Sequence, residues 1–171
     1  LGSPTVNSFT ASQTSDILSG STIDLSWDVS DAMTISIEDS GGNNVTTSSM
    51  ATGTANVTVT ADETYTLSAT NATGTTTATV SVTILVAPTI TSFTATPNSN
   101  LIVNDSVDLA WDVSGADSIE ITDGGGNSVT TSTMATGTFA VTAQQDETYT
   151  LTATNAAGST TLTASITLRP T

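Results

Sequence analysis

Carboxylates are the only ionisable side chains present in sufficient number to do chemistry. The 171-residue chain holds 16 Asp plus Glu, a single basic residue (Arg169), and neither His nor Cys, for a net charge of −15. The absence of His excludes a Ser–His–Asp triad or an imidazole base. The absence of both His and Cys excludes ordinary zinc, iron–sulfur and haem sites. One basic residue cannot neutralise a run of phosphates, so nucleic acid is not expected as a partner.

The spacing of the acids argues against an enzyme. Asp24 and Asp28 flank Trp27 in a strand-like segment, which places their Cα atoms about 13 Å apart. That separation is too large for a catalytic carboxylate pair. Five positions are acidic in both halves of the chain: 24/108, 28/112, 39/123, 62/146 and 63/147. Nothing in the repeat distinguishes one carboxyl group as a general acid and another as a general base. The sequence therefore predicts a solvated acidic face and no catalytic site.

Calcium binding is the one other use that these carboxylates suggest. Asp39-Ser-Gly-Gly-Asn43 and Asp123-Gly-Gly-Gly-Asn127 predict hairpin loops whose oxygens could face a cation. Ca²⁺ takes six to eight oxygen ligands, and neither loop has the spacing of a recognised calcium motif. Ca²⁺ remains an open alternative, no other cofactor is expected, and the candidate ligands are Asp31, Asp39, Asp117 and Asp123.

A gapless repeat sets the domain organisation. Residues 4–86 align with 88–170 at a shift of 84, with 47 identities in 83 positions. We therefore predict two domains, 4–86 and 87–171, and interpret residues 1–3 as the end of a tag-removal scar. The joint between the halves is apolar and contains neither Gly nor Ser. Flexible linkers are rich in both residues, so a stiff, extended pair is expected.

Alternating apolar and polar residues predict short strands with one buried face. Ile23, Leu25, Trp27 and Val29 alternate with polar residues, and turn signals such as Gly41-Gly42-Asn43 interrupt such runs. Six or seven strands per half predict an all-β fold of two-sheet antiparallel sandwiches.

Most of the large apolar side chains fall at predicted core positions. Phe139, in phase with Val141, is also predicted to be core, and Met50 and Met134 are interpreted as core fillers. The predicted structural core is Phe9, Trp27, Tyr65, Leu67, Phe93, Trp111, Tyr149 and Leu151.

Two segments resemble a known class of domain. Asp62-Glu-Thr-Tyr65-Thr-Leu67-Ser-Ala69-Thr-Asn71-Ala-Thr-Gly74 and its copy at 146–158 are similar to strand F of immunoglobulin and fibronectin type III domains. Pro88-Thr-Ile90-Thr-Ser92-Phe93-Thr-Ala95 resembles the opening of bacterial Ig-like repeats in large surface and secreted proteins. The resemblance implies two tandem Ig-like sandwiches of about seven strands each. It also implies a tyrosine corner at Tyr65 and Tyr149, whose hydroxyls would bond the backbone a few residues upstream.

These observations together predict a structural spacer or stalk module of a larger exported, extracellular, bacterial protein. The expected partners are neighbouring domains of the same parent chain, with no membrane insertion, since no apolar run approaches ~20 residues. The fragment itself is expected to be monomeric. One alternative is an adhesive module for a glycan or protein ligand, with its site in the divergent segments 13–22 and 97–106. Another is a self-associating filament in which an edge strand such as 4–12 pairs with the next molecule.

Overall fold

The described part of the chain is all-β, as the sequence predicts, and forms fourteen strands. The computed structural model describes residues 2–170, and within that range every strand pairing is antiparallel apart from two isolated parallel bridges. The strands of the first half are β1 (Thr5–Ala11), β2 (Ser21–Ser30), β3 (Thr34–Glu38), β4 (Asn44–Ser48), β5 (Thr52–Val59), β6 (Glu63–Asn71) and β7 (Gly74–Val82). Those of the second half are β8 (Thr89–Thr96), β9 (Ser106–Ser114), β10 (Ser118–Thr122), β11 (Ser128–Ser132), β12 (Thr136–Thr142), β13 (Glu147–Asn155) and β14 (Gly158–Ile166).

The chain divides into two compact units, of which unit 1 ends at Leu85 and unit 2 begins at Val86. In unit 1 a three-stranded sheet of order β1-β2-β5 faces a four-stranded sheet of order β4-β3-β6-β7. Unit 2 repeats the arrangement as β8-β9-β12 and β11-β10-β13-β14. Each unit therefore has the same sandwich, with seven strands in two sheets.

Burial along β2 shows why these segments form strands. Ile23, Leu25, Trp27 and Val29 are buried, while the intervening residues are exposed or half-buried. A strand turns successive side chains to opposite faces, so this alternation needs one face against a core. β9 has the same pattern one repeat later.

Each unit has its own hydrophobic core. Leu67 and Leu151 are fully inaccessible, and both tryptophans and both tyrosines are nearly so. Phe93 is buried in unit 2, whereas Phe9, at the equivalent position of unit 1, is only half-buried and packs against the edge of the core.

Three apolar residues predicted to be core are exposed. Phe139 is 38% exposed because β12 is an edge strand. Its side chain has the alternation of a core residue but lies at the open side of the sandwich. Met50 and Met134 are 66% and 64% exposed. These methionines contribute to the fold through their backbone. The indole Nε1 atoms of Trp27 and Trp111 donate hydrogen bonds to the carbonyl oxygens of Met50 and Met134 at 3.2 and 3.1 Å.

Each tryptophan covers a glycine on the neighbouring strand. Trp27 lies opposite Gly53 in the β2–β5 pairing, and Trp111 lies opposite Gly137 in the β9–β12 pairing. A Cβ atom at Gly53 would lie 2.2 Å from Cζ2 of Trp27, and one at Gly137 would lie 2.3 Å from Cζ2 of Trp111. The glycines are therefore required by the close approach of the indole rings.

The turn after the second strand gives a stability prediction. Asp31 has φ of 60°, and Gly115, at the equivalent position of unit 2, has φ of 73°. A left-handed backbone costs a non-glycine residue free energy, although Asp tolerates it better than most. Asp31→Gly should raise the free energy of unfolding of unit 1 by about 0.5 kcal/mol, and Gly115→Asp should lower that of unit 2 by a similar amount. Urea unfolding followed through the amide signals of each unit tests both, and changes of the same sign in the two variants would contradict the argument.

Candidate functional site

Within each unit the two calcium candidates do not converge. Asp31 precedes β3 and Asp39 follows it, while Asp117 and Asp123 bracket β10 in the same way. The first and last Cα atoms of a five-residue strand are about 13 Å apart, and the two acids lie beyond those ends. Among residues 2–170 no group of three or more acidic side chains is placed to hold a metal ion.

The carboxylates of Asp39 and Asp123 bind their own loops. Oδ1 of Asp39 accepts a hydrogen bond from the backbone N–H of Asn43 at 2.8 Å, and the Asn43 side-chain amide donates to both carboxylate oxygens. Asp123 and Asn127 repeat these contacts. The donated hydrogen bonds, first from the Asn side chain and then from its backbone, lower the pKa of Asp39 and of Asp123. These oxygens hold the predicted hairpin turns, in which Gly42 and Gly126 have φ of 76° and 80°.

Removing the amide should reverse the pKa shift of Asp123. In Asn127→Ala the pKa of the Asp123 carboxyl should rise towards its ordinary value of about 3.9, while Asp39 in unit 1 serves as the unchanged internal control. A depressed folded-state pKa contributes stability above the unfolded-state pKa, and this stability is lost as pH falls through the folded-state value. The difference in stability between wild type and variant should therefore vanish at low pH. Carboxyl-carbon NMR titration tests this, and an unmoved Asp123 pKa would contradict it.

Glu63 and Glu147 connect the same loops to the neighbouring strand. Oε1 of Glu63 accepts from the backbone N–H of Ser40 at 2.8 Å and from that of Thr64 at 3.0 Å. Hydrogen bonding to Ser40 is the main reason that the pKa of Glu63 lies below its ordinary value. The repeated acids at these positions therefore have structural partners within their own unit.

The tyrosine corner implied by the resemblance is not formed. Tyr65 and Tyr149 are buried, but the hydrogen bonds within residues 2–170 include none from either hydroxyl. Burial raises the pKa of both phenols, and the nearby Glu63 and Glu147 carboxylates act in the same direction. The tyrosines contribute mainly as apolar bodies in the core.

Asp62 and Asp146 each accept a hydrogen bond from backbone far along the chain. Oδ1 of Asp62 accepts from the backbone N–H of Ile84 at 2.8 Å, and Oδ1 of Asp146 accepts from that of Leu168 at 2.7 Å. The acid therefore fixes the chain where it leaves the last strand of its unit. In unit 1 that position is the start of the joint.

Two buried asparagines, which no local sequence pattern marks as structural, hold the opposite end of each unit. The Asn155 amide donates to the carbonyl oxygens of Val86 and Gly115 at 2.8 and 2.7 Å, and its own oxygen accepts from the backbone N–H of Ala157. Asn71 makes the equivalent bonds in unit 1, where Gly2 takes the place of Val86. Gly2 thus takes part in the fold, although the sequence predicts that residues 1–3 are a tag-removal scar.

The residues of the joint are each anchored within one unit. In unit 1, the backbone N–H of Leu85 donates to the carbonyl oxygen of Ile17 at 2.8 Å, and Ile17 forms a parallel bridge with Ile84. In unit 2, the carbonyl oxygen of Val86 accepts from Asn155. The last anchored residue of unit 1 and the first of unit 2 are therefore consecutive in the chain.

The divergent segments 13–22 and 97–106 contain a structural anchor in each unit. Ile17 is 1% exposed and Leu101 is 2% exposed. Leu101 bridges to Leu168 as Ile17 does to Ile84. The sequence differences therefore surround a buried position that the two units share. Beside it, Leu18 is exposed in unit 1, and Ile102 and Val103 are exposed in unit 2.

A shallow groove lies on the outer face of the four-stranded sheet in unit 2. It has a volume of about 630 Å³ and is lined by Glu120, Met134 and hydroxyl-bearing residues of β10, β11 and β13. The matching groove of unit 1 is about 390 Å³ and has Ser36 in place of Glu120. No exposed aromatic ring lines either groove.

None of the segments between residues 2 and 170 forms a helix able to cross a lipid bilayer. No protein-family model matches the sequence, and no curated protein matches it significantly.

Solved structures similar to this chain are Ig-like and fibronectin III-like domains. An I-band fragment of titin, I67–I69, is 16% identical, with 98% of this chain and 66% of that chain covered and a TM-score of 0.58. An E-to-A variant of the same titin fragment has the same identity and coverage and a TM-score of 0.60. The fibronectin(III)-like modules of CbhA from Clostridium thermocellum are 16% identical over 97% of this chain and 94% of that chain, with a TM-score of 0.43. The likeness to the titin fragments establishes the Ig-like fold that the sequence predicts.

Proposed function

We propose that the chain is a non-catalytic spacer module that holds other parts of a larger protein apart. The observation that carries the proposal is the anchoring of Leu85 by Ile17 and of Val86 by Asn155. Only the torsions on either side of one peptide bond lie between these two anchors, so we expect the joint to be stiffer than a Gly/Ser-rich linker. A stalk needs this property, because a projected domain keeps its distance only when the joints behind it are stiff.

The proposed setting is the outside of a bacterial cell, with neighbouring domains of the parent chain as the main partners. A net charge of −15 with one basic residue suits salty surroundings, where counterions screen self-repulsion. A tandem spacer module needs no binding or catalytic site of its own. This agrees with the local structural roles of Asp39, Glu63, Asp62 and their copies.

Spin-label distances test the spacer proposal. The chain has no Cys, so Thr79→Cys and Thr163→Cys give unique labels at exposed, equivalent positions of β7 and β14. We expect one narrow distance distribution. Insertion of Gly-Ser-Gly between Leu85 and Val86 should broaden it, and a distribution equally broad without the insertion would contradict the proposal.

A second candidate function is weak ligand binding, favoured by the larger groove of unit 2. Glu120 and the surrounding hydroxyls offer acceptors and donors of the kind that a neutral glycan uses. Titration of labelled protein with oligosaccharides should then shift amide signals of Glu120 and Thr152, and Glu120→Ser, which copies unit 1, should weaken the response. If no oligosaccharide shifts the amide signals of this face selectively, the ligand-binding function is ruled out.

For Ca²⁺ we propose a counterion effect without a specific site. Because Asp31 and Asp39 lie at opposite ends of β3 and the Asp39 oxygens are bonded to Asn43, the melting temperature should rise equally in Ca²⁺ and in NaCl of matched ionic strength. Any ion bound by the folded state alone adds stability by linkage. A rise specific to Ca²⁺ and abolished by chelator would contradict this and would restore the loop carboxylates as ligands.

A further inference from the structure

β12 is an edge strand whose outer backbone groups have no partner within the described chain. It pairs with β9 on one side only. The N–H of Val113 donates to the carbonyl of Ala135 at 2.8 Å, and the N–H of Ala143 donates to that of Asp105 at 2.9 Å. Hydrogen-bonded pairs alternate along an antiparallel ladder. The backbone groups that point to the open side are therefore those of the even-numbered residues 136, 138, 140 and 142.

This edge lacks the usual features that prevent edge-to-edge pairing. Natural edges are protected by charges, prolines or bulges. β12 contains no charged residue and no proline, and its seven pairs with β9 run without a register shift. By contrast β8, the other edge of the same sheet, has a bulge between Ile90 and Ser92. β1, the edge that the sequence suggested for self-association, has a bulge between Val6 and Ser8.

The exposed aromatic ring of Phe139 lies at the centre of this edge. Phe139 is the fourth of the seven residues in β12 and is 38% exposed. Unit 1 has Ala55 at the equivalent position of β5. The two units thus share an open, uncharged strand, but only unit 2 adds a large apolar side chain to it.

We propose that β12 is the contact surface for a second copy of this chain, which pairs antiparallel with it about a two-fold axis at Phe139. In this register residue 138 lies opposite 140 of the other copy and 136 lies opposite 142. The outward even-numbered groups then form the hydrogen-bonded pairs, and the two Phe139 rings lie side by side at a close, non-hydrogen-bonded position. The two three-stranded sheets join into one of six strands. Such an isologous contact closes on itself and yields a dimer rather than a filament.

Charge favours a second copy at this strand over other surfaces. Two copies of net charge −15 repel each other, and the repulsion is smallest where the surfaces in contact have no carboxylate. The outer face of β9, by comparison, has Asp108 and Asp112. Added salt screens the remaining long-range repulsion, so association should strengthen with ionic strength.

Sedimentation equilibrium of the intact chain tests this inference. In about 1 M NaCl, where the Debye length is ~3 Å, the mass should rise with concentration from 17.2 kDa to twice that value. At low salt the association constant should be at least tenfold smaller. A monomer at every concentration up to about 1 mM would overturn the assignment of a second copy. This holds even if the strand binds a different protein.

Matched proline variants locate the contact. Thr138→Pro removes an N–H that faces the open edge and leaves the ladder to β9 intact, and it should lower the association constant at least tenfold. Thr54→Pro is the same change at the equivalent position of β5 and should leave association unchanged. Thermal melts of both variants check that each folds. Equal weakening by the two, or none by Thr138→Pro, would overturn the proposal.

Single cysteines give an independent measurement. Because the chain has no native Cys, Phe139→Cys in high salt with oxidised glutathione should form a disulfide-linked dimer, since the two-fold register places the two thiols opposite each other. Ala55→Cys, treated alike, should remain largely monomeric. Equal yields of linked dimer from both variants would count against the register.

Discussion

Gly53→Ala should lower the free energy of unfolding of unit 1 by about 3 kcal/mol. The new methyl group would lie 2.2 Å from Cζ2 of Trp27, well inside van der Waals contact, and this indole is only 5% exposed. Over-packing of this kind typically costs about 1–3 kcal/mol, with larger values where nothing can shift. The change should also weaken the hydrogen bond from the Trp27 Nε1 atom to the Met50 carbonyl oxygen.

Urea unfolding monitored by tryptophan fluorescence and by amide signals of unit 1 measures this loss. Thr54→Ala, on the outward face of the same strand, is the matched control and should change stability by less than about 0.5 kcal/mol. Gly137→Ala should repeat the effect in unit 2, where the approach to Trp111 is 2.3 Å. If Gly53→Ala were as mild as the Thr54 control, the stacking of indole on glycine would not be a main determinant of the fold.

The second large effect is expected at Asn155. Asn155→Ala removes an amide that donates to Val86 and Gly115 and accepts from Ala157, and Asn155 is 8% exposed. Leaving a buried polar group unpaired costs about 1–3 kcal/mol, so we expect unit 2 to lose about 3 kcal/mol. Because one lost bond is the anchor of Val86, the first residue of unit 2, the joint should loosen as well.

Two further variants separate these contributions. Asn155→Asp keeps the shape but replaces the amide donor by an oxygen that faces two carbonyl oxygens, so it should be at least as destabilising as alanine. Asn44→Ala changes an exposed asparagine on β4 and should be neutral within about 0.5 kcal/mol. Chemical denaturation of the three variants, with the unchanged unit of each as internal reference, gives the comparison. A neutral Asn155→Ala would contradict the role given to the buried amide.

The fold class was predictable because it depends on short-range patterns that each strand carries by itself. The alternation of Ile23, Leu25, Trp27 and Val29 needs a two-faced sheet whatever the topology. The repeat at a shift of 84 doubles every such observation. The recurrence of Tyr65, Leu67 and Ala69 at Tyr149, Leu151 and Ala153 similarly identifies a strand with one face in the core.

The exposures and contacts that were missed depend on which strands are neighbours. Phe139 has the phase of a core residue, and only the position of β12 at a sheet edge exposes it. The asparagines look like turn residues in the sequence, yet Asn155 bonds carbonyl groups 69 and 40 positions away. Asp62 likewise bonds Ile84, which lies 22 positions along the chain. No local pattern specifies partners at these separations.

The proposed spacer role requires that the two Ig-like units be joined without a flexible segment, and nitrogen-15 relaxation tests this claim most directly. If Leu85 and Val86 are anchored as described, amides of both units in the wild-type chain should report one common rotational correlation time, that of a single 17.2 kDa body. The chain with Gly-Ser-Gly inserted at the joint should show shorter times for each unit. Separate, short correlation times in the wild-type chain, equal to those of the insertion variant, would contradict the claim.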